Sequence, residues 1–138
     1  MNNKQKITEN INEDWSDSKS ISDICVKILD FISRKPLVQL EHMTQGSLKS
    51  AIRNQYSDAD FLSAVQYLAG SKVSLLEIKF EFIEDDFIFQ IDDSVIKEAI
   101  RDGYLAHPSS GELVDDFEEK VFLYFRPGHL AKQISKKS

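Results

Sequence analysis

The chain is 138 residues long, 41% apolar with nine Phe, and carries a net charge of −6. That is one domain's length with enough apolar material for a core, which excludes an intrinsically disordered chain. The acidic balance argues against bulk attraction to nucleic acid or an anionic membrane surface, no apolar run approaches the ~20 residues of a membrane span, and no secretory apolar stretch follows Met1, so cytoplasm is the expected location.

Residues 1–19 are rich in Asn, Ser, Asp and Glu, with isolated Ile7, Ile11 and Trp15, and read as a flexible N-terminal arm. Trp15 either folds back on the domain or anchors into a protein partner. The first helix is expected from Ser20, a capping residue with Asp23 three positions on, and Ile21, Ile24, Cys25, Ile28, Leu29 and Ile32 form its apolar face. Arg34 and Lys35 suit its C-terminal end and Pro36 stops it. Cys25 is the only cysteine, so neither an intramolecular disulfide nor a cysteine metal cluster can form, and its apolar neighbours mark it as a small core residue.

Thr44 or Ser47 can cap a second helix that turns Leu48, Ala51 and Ile52 inward. Asn54-Gln55-Tyr56-Ser57 is a short turn, and Ser57 with Asp60 opens a third helix carrying Phe61, Ala64, Val65 and Leu68, with Gly70 beyond its end. Leu76, Ile78, Phe80 and Phe82 then alternate with Glu77, Lys79 and Glu81, and Phe87, Phe89 and Ile91 return after the acidic turn Glu84-Asp85-Asp86. This period of two predicts an antiparallel hairpin with one face buried and one in water.

Asp92 or Asp93 caps a fourth helix with Val95, Ile96, Ala99 and Ile100 on its inner face, ended by Gly103. Pro108-Ser109-Ser110-Gly111 is the turn of a second small hairpin, Val121-Phe122-Leu123-Tyr124-Phe125 reads as a buried strand, and residues 128–138 read as a basic tail ending Lys136-Lys137-Ser138.

Three capped helices, a tight turn between the second and third, then a β-ribbon: over residues 20–91 this order resembles the winged helix-turn-helix superfamily. The resemblance implies an α+β fold, a winged-helix core at 20–91 with a helix, hairpin and strand extension at 92–127, and DNA or protein as partner. The charges separate these partners. Residues 77–103 hold nine acids against three bases, so the wing would be repelled by phosphates, whereas residues 19–56 hold six bases against three acids. The first expectation is a non-enzymatic adaptor subunit of a bacterial multi-component system, docking a protein through Glu77, Lys79, Glu81 and Gln90 with Trp15 as an anchor. The alternative is a DNA-binding transcriptional regulator using Lys49, Arg53 and Gln55. A homodimer fits either one.

His42, His107 and His129 have no metal-ligand spacing, and no phosphate-binding loop or nucleophile elbow is present. His107 with Glu112 is the one His–carboxylate pair that a hairpin could assemble, and a surface hydrogen bond explains it. No catalytic, metal or cofactor residue is therefore assigned.

Overall fold

The computed structural model describes residues 3–53 and 55–135. Asn54 of the expected turn and Lys136-Lys137-Ser138 of the basic tail lie outside them, as do Met1 and Asn2. The fold is α+β, and its main sheet has four strands in the order β1-β6-β2-β3: β1 (Met43–Thr44), β2 (Leu76–Glu84), β3 (Phe87–Ile91) and β6 (Val121–Pro127). The chain divides into two compact units, Met1–Glu77 with Phe125–Ser138, and Ile78–Tyr124. This division cuts across the expected segments.

The first unit is helical. The segment expected to be a flexible arm instead contains α1 (Asn3–Asp14), which buries Ile7 and Ile11. Burial of two Ile side chains four residues apart, together with Asp14 accepting from the Tyr67 hydroxyl at 2.6 Å and from the Lys72 ammonium at 2.7 Å, overrides the polar composition. Trp15 folds back, its ring edge-on to Tyr67 with centroids 5.5 Å apart.

Helix α2 (Lys19–Ser33) buries the expected face of Ile21, Ile24, Cys25, Ile28, Leu29 and Ile32. It starts one residue early, and its N-cap is Ser18, which makes no side-chain cap bond. Burial pushes the Cys25 thiol up to about 12. After Pro36 the chain makes a 3-10 turn, Leu37–Gln39.

Helix α3 (Gln45–Ala51) opens with a reciprocal cap between Thr44 and Ser47. Helix α4 (Asp58–Ala69) opens with the Ser57 hydroxyl accepting from the Asp60 N–H and packs Phe61, Ala64, Val65 and Leu68 inward. Gly70 closes it in an extended conformation and not as a left-handed C′ residue. The short helix α6 (Ala131–Ile134) buries Ala131, so this part of the expected tail belongs to the unit. At Gly128 the backbone passes so close to the Ser74 carbonyl that any side chain would collide with it, while the Gly128 N–H donates to the Leu75 carbonyl at 2.9 Å.

The second unit is built on the β2–β3 hairpin. Phe80 pairs with Ile91, Phe82 with Phe89 and Glu84 with Phe87, leaving Asp85-Asp86 as a two-residue turn. The Phe82 face forms a core with Ile91, with Ile96 and Ala99 of α5 (Asp93–Asp102), with Leu105 of β4 (Leu105–Ala106), and with Phe117. Strand β4 pairs antiparallel with β5 (Leu113–Val114), as expected of the second hairpin. Helix α5 ends at Gly103, whose φ of 84° is the left-handed conformation glycine adopts without strain. Val95 and Ile100, expected on the inner face of α5, are instead 38% and 70% exposed. The core meets a stripe only wide enough for Ile96 and Ala99.

Candidate functional site

The hairpin edge is the most unusual surface of the second unit. Strand β3 ends the strand order, so one side of its backbone has no neighbouring strand. Its sequence, Phe-Ile-Phe-Gln-Ile, contains none of the charges or prolines that guard sheet edges. Phe87 is 64% exposed and Ile88 63%, immediately after the exposed acids Asp85 and Asp86. The Phe87 and Phe89 rings stack at 6.2 Å.

The expected contact residues do not share that edge. Glu77 belongs to the first unit, where it lines a recess with Arg126 and Lys132. Lys79 is half-buried, and Glu81 is only 6% exposed, which corrects its expected place on a water-facing surface. The cause is strand position. Strand β2 lies between β6 and β3, and Gln90 of β3 pairs directly with Glu81. Gln90 lies on β3 and is exposed, with its amide donating to the Tyr124 hydroxyl at 2.8 Å.

At the turn end of the hairpin the structure assembles a cluster that sequence reading misses. Glu84 accepts from the His107 Nε2–H at 2.9 Å and from the Lys120 ammonium at 2.7 Å. His107 Nδ1 accepts from the Ser109 and Ser110 N–H groups at 3.1 and 3.2 Å, which leaves Nε2 as the nitrogen that donates to Glu84. The expected partner Glu112 meets His107 only through backbone, its carbonyl accepting the His107 N–H at 2.8 Å. Lys120, then His107, holds the Glu84 carboxyl below its ordinary value, and Glu84 in turn raises Lys120. These groups border a shallow cleft of about 460 Å³ together with Ser110, Asp115 and Asp116. Both ring nitrogens of His107 are engaged, so neither a free lone pair nor a free N–H is left for proton transfer, and the ring acts as a clamp between the hairpin and the β4–β5 turn.

The first unit carries the opposite charge. Lys4 of α1, Lys27, Arg34 and Lys35 of α2 and its end, and Arg53 after α3 border a groove of about 840 Å³ with one acid, Asp30, among its lining residues. Its accessible apolar lining comes from the half-buried Val26 and Phe31, with the Lys35 ammonium 5.8 Å from the centre of the Phe31 ring, and Leu29 and Ile52 are fully buried behind them. Asp30 pairs with Lys4 at 2.9 Å and Arg34 at 3.1 Å. The Lys27 ammonium meets the Tyr56 hydroxyl at 2.8 Å. Arg53 and Gln55, expected to touch DNA, lie on this groove. Lys49 does not: it pairs with Asp58 at 2.9 Å and sits 5.3 Å from the centre of the Phe61 ring. The groove joins residues from three elements up to 51 positions apart, a convergence that charge counting suggests and cannot locate.

No protein-family model, curated protein or solved structure matches this chain. No helix among the described residues is long and apolar enough to cross a membrane, and those residues contain no group of three side chains placed to hold a metal ion.

Proposed function

We propose that this chain is a non-enzymatic winged-helix adaptor, an accessory subunit that presents its β2–β3 hairpin to a protein partner in a multi-component assembly. The order α2, α3, α4 and then the hairpin supports the winged-helix assignment. One observation carries the function: an uncharged edge strand exposes Phe87 and Ile88 directly after an acidic turn. Adjacent exposed apolar residues on an unguarded edge are costly in water and become useful when a partner covers them. The clamp at Glu84, His107 and Lys120 supports the same reading, since it fixes the hairpin end before any partner arrives and so lowers the ordering cost of docking.

The test is affinity capture with crosslinking from the source cells, comparing the parent chain with a Phe87→Ser/Ile88→Lys variant. Proteins held by the parent and lost by the variant support the adaptor. An unchanged set of captured proteins refutes docking through the hairpin. A DNA-binding regulator is the second reading, supported by Arg53 and Gln55 on the basic groove, and binding to random-sequence duplex DNA that falls steeply with salt is its test.

A further inference from the structure

We propose that the basic groove of the first unit is the docking site for the hairpin tip of a second copy of this chain, so that the protein self-associates through unlike surfaces. The inference rests on the reading that the hairpin docks onto protein, and names that protein. Two independent chemistries match. The groove carries Lys27, Lys35 and Arg53 on its rim over an apolar floor that includes Val26 and Phe31. The tip carries Asp85 and Asp86, both exposed, followed by Phe87 and Ile88 at 64% and 63% exposure.

An apolar floor gives nothing to a phosphate backbone, which takes charge and hydrogen bonds. A turn with two carboxylates followed by two exposed apolar side chains satisfies both rim and floor. A two-fold arrangement makes the contact reciprocal, whereas a head-to-tail arrangement is heterologous and closes as a ring where the rotation between copies allows or otherwise extends as a chain.

The experiment is sedimentation velocity on the full chain over a wide concentration series, at low and high salt, with two charge-reversed variants. One is Asp85→Lys/Asp86→Lys at the tip; the other is Lys27→Glu/Arg53→Glu at the groove. All four side chains are exposed, so circular dichroism and unfolding midpoints matching the parent will confirm that both variants fold. The parent is expected to exceed monomer mass as concentration rises and to dissociate in high salt, and each variant alone to associate roughly tenfold or more weakly. Mixed one to one, the variants are expected to recover association, because each reversed tip then meets a reversed groove and each native tip a native groove.

A parent that stays monomeric at low salt overturns the proposal. So does association that survives unchanged in both variants, or a mixture that fails to recover it. If the parent is monomeric while Phe87→Ser/Ile88→Lys still loses its captured proteins, the adaptor reading stands and self-docking falls. If the parent is monomeric and the groove variant loses affinity for a single-stranded or duplex DNA probe, the groove is a nucleic-acid site instead.

Discussion

Replacing His107 with Phe keeps the ring and removes both of its nitrogens, which isolates the clamp from the packing around it. The ring is 16% exposed, edge-on to Phe82 at 5.2 Å and to Phe89 at 6.3 Å. Phe retains these contacts. What goes is the acceptor for the Ser109 and Ser110 N–H groups. At a net 0.5–1.5 kcal/mol per bond, and with both amides in exposed residues that water can reach, the loss is about 1–2 kcal/mol. Glu84 keeps Lys120 as a partner, and the solvent around that pair makes its contribution small. His107→Ala also forfeits the aromatic contacts and costs about 1 kcal/mol more. Amide hydrogen exchange by NMR reads the effect where it arises: Ser109 and Ser110 are expected to exchange faster in His107→Phe, with a lower urea midpoint by circular dichroism. Trp15 fluorescence is the wrong probe, because Trp15 belongs to the other unit. If Ser109 and Ser110 keep parental protection in His107→Phe, Nδ1 is not their acceptor and the clamp is refuted.

The Glu84 carboxyl is depressed below its ordinary 4.5 in the folded chain, so its contribution to stability is fully present above that value and is lost as pH falls through the lowered one. Acid unfolding followed by circular dichroism is therefore expected to show a shallower slope below about pH 4.5 in Glu84→Gln than in the parent; equal slopes refute the assignment. Gly128→Ala forces a methyl group against the Ser74 backbone and is expected to destabilise the first unit by roughly 1–3 kcal/mol. Trp15 fluorescence in urea is the fitting measurement there, and an unshifted midpoint would mean that the close approach at Gly128 is not held in solution.

The elements legible in the sequence are those written by local rules. The apolar face of α2, the caps at Thr44 and Ser57 and the Gly103 terminus follow from spacing and capping chemistry and appear in the structure, and the acidic turn appears one residue shorter than expected, with Glu84 paired in β2. Helix α1 was hidden because its signal is only Ile7 and Ile11, four apart in a polar stretch, and its stability comes from packing on α2 and α6 and not from propensity. Glu81 illustrates a different limit. Alternation gives the face on which a strand residue lies, but exposure depends on how many neighbours flank the strand, and β2 has one on each side. The Glu84–His107–Lys120 cluster joins residues up to 36 apart and depends on the register of two hairpins, so no single stretch encodes it.

The charges around β3 explain how an unguarded edge can coexist with a discrete protein. Acids stand at both ends of the strand, Asp85 and Asp86 before it and Asp92 and Asp93 after it. If two copies paired their β3 edges antiparallel about Phe89, Asp86 of each, just before the strand, would come near Asp92 of the other, just after it. Two like-charge juxtapositions would oppose that sheet, while the apolar strand between them would stay open. The end charges thus reject edge-to-edge pairing between identical hairpins and favour a cationic counterpart. That selects the kind of surface formed by Lys27, Lys35 and Arg53, and it is why reversing Asp85 and Asp86 is expected to weaken docking into the groove.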